Sequence, residues 1–89
     1  MRPQVLIPWN PAEALTIAEA AKIARKSVRT VRNWAAIHDI GRRVAGGDWM
    51  ISRPALLMLL EDDGAALSAY HAGARTSDLV RPYFERAGL

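Results

Sequence analysis

Two hydroxyl caps, Thr16 and Ser27, each followed by a short apolar stripe at helical spacing, constrain this chain more than any other feature. Thr16-Ile17-Ala18-Glu19 sets a hydroxyl three residues ahead of a carboxylate. That is a capping box, and it predicts a helix beginning at Ile17. Ile17, Ala20, Ala21 and Ala24 give this helix an apolar face, which Arg25-Lys26 interrupts. Ser27 then caps a second helix from Val28 to about Ile37. Val28, Val31, Trp34, Ala35 and His38 form its packing side, while Arg29, Arg32, Asn33 and Ala36 recur on the opposite side. One face packs and the other presents hydrogen-bond donors.

Asp39-Ile40-Gly41 ends the second helix. Arg42-Arg43-Val44 and Asp48-Trp49-Met50-Ile51 then read as strands around Ala45-Gly46-Gly47, whose paired glycines suit the positive φ of a tight hairpin. Ser52 caps a third helix with Pro54 in its first turn and Leu56, Leu57, Leu59 and Leu60 as its packing face, and Glu61-Asp62-Asp63-Gly64 closes it. Ahead of this unit, Met1 to Pro11 holds three prolines and reads as an extended lead-in. Within it Val5-Leu6-Ile7 is expected as a short strand and Asn10 as the cap of one helical turn. Beyond it, Ala65 to Ala72 extends a helix that Gly73 breaks, and a last turn or two falls between Leu79 and Ala87. The expected fold is mainly α with a small β-hairpin wing, a winged helix-turn-helix. Residues 1–14 are the lead-in, 15–63 the winged domain, and 64–89 a partly helical or flexible tail.

Eighty-nine residues make one small domain, and an apolar share of 51% argues against a disordered chain, although much of that share is alanine and the core will be thin. The net charge of +3 hides an asymmetry. Lys22, Arg25, Lys26, Arg29, Arg32, Arg42 and Arg43 face only Asp39 between positions 22 and 43, and the remainder of the chain is net acidic. A basic cluster on a helix-turn-helix pattern is the footprint of a polyanion partner; its alternative reading is a solvated face. Cysteine is absent, which excludes disulfides and thiolate zinc sites. His38 and His71 lack cysteine or a nearby carboxylate pair at ligand spacing, so no metal is expected, and no cofactor. Ser68, Tyr70 and His71 come without an oxyanion-forming motif, and no catalytic residue is expected. No apolar run is long enough for a signal-peptide core or a bilayer span, so a soluble, cytoplasmic protein without a membrane partner is expected.

The strings Leu15-Thr-Ile-Ala-Glu-Ala-Ala21, Ser27-Val-Arg-Thr-Val-Arg-Asn-Trp34 and Gly46-Gly-Asp-Trp-Met-Ile-Ser52 resemble the MerR-like winged helix of excisionases, also called recombination directionality factors. Roughly half the chain is covered. Within that family the chain is similar to the RdfS type of rhizobial integrative and conjugative elements. The resemblance implies a DNA-bending accessory protein of mobile elements without catalysis. Its partners would be double-stranded DNA, a site-specific integrase and adjacent copies of itself arranged head to tail, and it would carry some transcriptional control. Small transcriptional regulators and packaging or partition adaptors use similar wings and are the alternatives.

The resemblance places Arg29, Thr30, Arg32 and Asn33 in the major groove. There arginine pairs with guanine O6 and N7, and asparagine with adenine N6 and N7, unless the arginines touch phosphate only and Asn33 is solvated. Lys22, Arg25, Lys26, Arg42 and Arg43 are expected on phosphates, with Ser27 either capping alone or also offering its hydroxyl or amide. The tip around Gly46 and Gly47 departs from the family, because Asp48 stands where a basic residue often enters the minor groove. Trp34 and Trp49 are expected in the core. Tyr83 and Phe84 in the tail are expected either to contact a protomer or integrase, or to pack on their own domain.

Overall fold

The computed structural model describes residues 2–89. A single 3-10 turn (Pro11–Glu13) leads into β1 (Ala14–Thr16), α1 (Ile17–Ala24) and α2 (Val28–Ile37). The wing follows as β2 (Gly41–Arg43) and β3 (Trp49–Ser52), and then come α3 (Arg53–Leu60), α4 (Gly64–His71) and α5 (Arg81–Arg86). The strands form one antiparallel sheet in the order β1-β3-β2, with Leu15 opposite Ile51 and Arg42 opposite Met50. This is a mainly helical winged helix-turn-helix.

Capping chemistry sets the helix starts. The Thr16 hydroxyl accepts from the Glu19 N–H at 3.1 Å, and the Glu19 carboxylate accepts from the Thr16 N–H at 2.9 Å. That backbone bond is the main reason the Glu19 carboxyl titrates below its usual range. Asn10, Ser27, Ser52 and Asp63 cap the 3-10 turn, α2, α3 and α4, each with a side-chain oxygen accepting from one backbone N–H and without the reciprocal bond. Asp63, in the run that closes α3, also starts α4, because its carboxylate accepts from the Ala66 N–H at 3.0 Å.

The strands differ from expectation in three places. β1 was not anticipated, because three residues are too few to show alternation and its partner, β3, lies far along the chain. Val5-Leu6-Ile7 is not a strand: Leu6 has φ +57°, Val5 and Leu6 are buried, and Ile7 is 45% exposed. Its backbone is satisfied by side chains instead, with Arg42 donating to the Val5 and Leu6 carbonyls and Tyr70 Oη accepting from the Leu6 N–H. At the wing tip the positive φ values fall on Ala45 (+53°) and Gly46 (+73°), so only the first of the paired glycines adopts one, and the Gly47 N–H closes onto the Val44 carbonyl at 2.9 Å.

One glycine is required for packing. A Cβ on Gly41 would stand 2.7 Å from Ile51 Cδ1 and closer still to the Met50 carbonyl, so the wing cannot keep its pairing with a side chain there. Gly41→Ala is expected to lower stability by roughly 1–3 kcal/mol, the usual cost of overpacking, read as a lower midpoint in urea unfolding. An unchanged midpoint would mean that β2 shifts freely against β3.

A single core joins the five α-helices with β1 and β3, with Leu6, Leu15, Val31, Ile51, Leu56 and Tyr70 among its fully buried side chains. Trp34 and Trp49 pack against it from its margin, as expected, whereas Trp9 is exposed. On α2 the packed face is shorter than the sequence stripe, since Val28 and His38 are exposed at its two ends. On α3, Ala55, Leu56 and Met58 are buried while Leu60 is 39% exposed, because the leucine run is longer than the arc that meets the core.

The tail belongs to this core. Ala66, Tyr70, Val80 and Tyr83 are buried in it, and Phe84 packs on the Tyr70 ring at 6.0 Å between centroids. Tyr70 also reaches Glu13, a carboxylate only 3% exposed that accepts from Tyr70 Oη and from Ser52 Oγ. Burial, above all, raises the Tyr70 phenol well beyond its ordinary value. Tyr83 donates to Asp63 at 2.6 Å, which pushes its phenol up to about 12 and lowers the Asp63 carboxyl. The Asp63 contribution is therefore complete above pH 3.8 and fades as acid titrates the folded carboxyl; the Tyr83 contribution is complete below pH 10.0 and fades as pH rises through about 12.

Candidate nucleic-acid interface

α2 turns its two faces as the sequence pattern implies. Val31 and Ala35 are buried, while Arg29, Arg32, Asn33 and Ala36 are exposed in a row along the helix. The turn before α2 is held by Arg25 in the left-handed region at φ +55°, which lets the Lys26 N–H reach back to the Ala21 carbonyl at 3.1 Å. Lys22, Arg25 and Lys26 are all exposed around that turn. Among the described residues the ion pairs are Arg81 with Asp78 and Arg86 with Glu61, so no cation of α1, the turn, α2 or the wing is neutralised by a carboxylate of this chain.

The wing stands beside α2. Arg32 and Arg43 line one cleft of about 440 Å³ together with Thr16, Asp48, Trp49 and Met50. Arg43 Nε donates to the Gly47 carbonyl at 2.9 Å, which braces the hairpin tip, and the residue as a whole stays exposed. Gly46 and Gly47 are exposed at that tip, and nothing lies within 4 Å of where a Gly46 Cβ would be. Asp48 sits in the same cleft as the two arginines, so a phosphate entering there meets one negative charge as well as two positive ones.

Several side chains stand apart from this row. Thr30 is half-buried and its hydroxyl accepts from Ser27 Oγ at 3.0 Å, so it belongs to the cap of α2 and not to the Arg29–Arg32 face. The Ser27 hydroxyl accepts from the Thr30 N–H at 3.1 Å, which is the capping role. Ser27→Ala is expected to cost about 1 kcal/mol through loss of that cap, measured by thermal unfolding. Ser27→Asp, which caps equally well, is expected to restore the stability.

Arg42 differs from its neighbour Arg43, because its Nε and one Nη are bound at 2.9 and 3.1 Å to the Val5 and Leu6 carbonyls. That tether was not visible in the sequence, where both arginines look alike, and it draws Arg42 away from a purely phosphate-facing role. Tyr83 and Phe84 turn towards their own domain, the first buried and the second partly so, which is the packing alternative for the tail. Arg75 was also missed as an organising residue. It donates to the Gln4, Ile7, Tyr70 and Ala74 carbonyls and lies 4.3 Å from the Tyr70 ring centroid. Among the described residues no helix is long and apolar enough to cross a membrane.

Exposed donors on a helix between a basic turn and a wing suit a duplex, whose major groove admits one helix and whose phosphates meet the flanking cations. No curated protein and no solved structure matches this chain significantly. A family model described as a helix-turn-helix domain matches residues 14–63, which run from β1 through the capping of α4 and include every element of the basic face. The chain therefore belongs to the helix-turn-helix domain family, a family of DNA-binding domains.

Proposed function

We propose that this protein binds double-stranded DNA sequence-specifically and acts as an excisionase of the MerR-like winged-helix class, bending DNA beside an attachment site so that an integrase excises a mobile element. The observation that carries the DNA-binding part is the exposed row of Arg29, Arg32 and Asn33, flanked by cations that no carboxylate of the chain pairs. What supports the excision part is the resemblance over Leu15–Ala21, Ser27–Trp34 and Gly46–Ser52, including its likeness to the RdfS type.

In this reading Arg29, Arg32 and Asn33 meet base edges, Lys22, Arg25, Lys26 and Arg43 meet phosphates, and the small wing tip lets backbone amides approach the sugar-phosphate chain. The action is architectural. Bending 20–30 base pairs costs on the order of 1–6 kcal/mol, which phosphate contacts and contacts between adjacent head-to-tail copies offset.

Footprinting on DNA around the protein's own gene and any adjacent integrase gene or attachment site, at physiological salt with competitor DNA, tests the proposal. Protection spreading over several evenly spaced direct repeats is the expected result. One short palindrome would make the protein a transcriptional regulator instead, and no protection would move it to a protein adaptor.

A further inference from the structure

We propose that the N-terminal arm, residues 2–9, is a second DNA-binding element, which holds Arg2 against a backbone phosphate beside the C-terminal end of α2. The proposal rests on the DNA-binding reading above and extends it to a segment outside the helix-turn-helix.

The arm carries no helix or strand, yet its course is fixed by side chains. Arg75 donates to the Gln4 and Ile7 carbonyls, Arg42 donates to those of Val5 and Leu6, and the Gln4 N–H donates to the His71 carbonyl at 2.9 Å. The four successive carbonyls from Gln4 to Ile7 are gripped by guanidinium groups, so the middle of the arm is positioned, not draped, two residues from Arg2.

It is positioned as one wall of a cleft of about 760 Å³, whose other walls are the end of α2 (Ala35, Ala36, Asp39) and the wing (Gly41, Arg43, Trp49). Ala36 lies on the exposed row one turn beyond Arg32 and Asn33, so the cleft opens onto the face that meets DNA. Arg2, Arg42 and Arg43 bring three guanidinium groups to it against the one carboxylate of Asp39. Arg42 is a positioning residue here, because it clamps the arm, and Arg43 is braced on the wing tip. Arg2 is exposed and, among the described residues, in no ion pair. The occupant that fits is a phosphodiester: anionic, able to take a guanidinium, and continuous with the strand that the α2 face already addresses.

Salt titration of binding to a random-sequence duplex, with wild type, Arg2→Ala and Arg2→Lys, decides the matter. The expected result is that Arg2→Ala flattens the slope of log affinity against log salt by about 0.9, the value for one lost phosphate, equally on every duplex sequence. Arg2→Lys keeps the charge and is expected to restore the slope, and all three proteins are expected to melt at the same temperature. Equal slopes for wild type and Arg2→Ala would overturn the proposal. So would a loss of affinity for a polyglutamate peptide with DNA binding unchanged, which would give the cleft to an acidic protein partner. A wild-type protein whose duplex binding ignores salt would instead remove the DNA reading itself.

Discussion

Ending the chain after Gly64 is expected to unfold the helix-turn-helix instead of releasing it as a minimal DNA-binding domain. The matched family segment stops at residue 63, but the core does not: Ala66, Tyr70, Val80 and Tyr83 are buried in it from beyond that point. Removing one large buried side chain costs about 2–5 kcal/mol, and a whole domain is stable by only about 5–15 kcal/mol. The truncation removes several such side chains and also Arg75, which holds the Gln4 and Ile7 carbonyls. Circular dichroism is expected to show no cooperative melt for residues 1–64. A cooperative transition at the wild-type temperature would show that α4 and α5 only rest on the domain. Tyr70→Phe gives a graded version, since it keeps the ring and removes the hydroxyl that serves Glu13 and the Leu6 N–H. The Leu6 N–H is left without a partner, which is expected to cost roughly 1–3 kcal/mol, while Glu13 keeps the Ser52 hydroxyl.

Arg32→Ala is expected to weaken binding to the specific site by roughly 5- to 150-fold, the range of ~1–3 kcal/mol for a bidentate base contact, and to weaken non-specific binding much less. The side chain is exposed on α2, and it shares its cleft with Arg43 and the start of α1. Arg29→Ala is expected to behave alike. Equal losses on specific and random duplexes, measured by competition at one salt concentration, would make both residues phosphate contacts and leave Asn33 as the base reader of α2.

Legibility in the sequence followed the range of the interactions. Thr16, Ser27 and Ser52 cap helices through bonds to residues three positions away, so their chemistry stands in the local string, and the helices begin where the caps imply. The two faces of α2 were readable for the same reason, apart from Val28 and His38 at its ends, where the stripe outlasts the surface it packs on. The arm and the tail were not readable, because Leu6 meets Tyr70 across 64 positions and Gln4 meets Arg75 across 71. No periodicity encodes such pairings. In the site itself, residue type marked the cations as one group and could not separate Arg42, clamped on two carbonyls, from Arg43 on the wing. Nor could it tell that Thr30 is held by the cap of its own helix.

Cations around α2 that serve a polyanion make duplex binding depend steeply on salt. With Z phosphates neutralised, log affinity is expected to fall against log salt with a slope near −0.9Z, with Z of several for the wild-type protein. A flat response across the same range would mean that the basic face meets no polyanion and is a solvated surface.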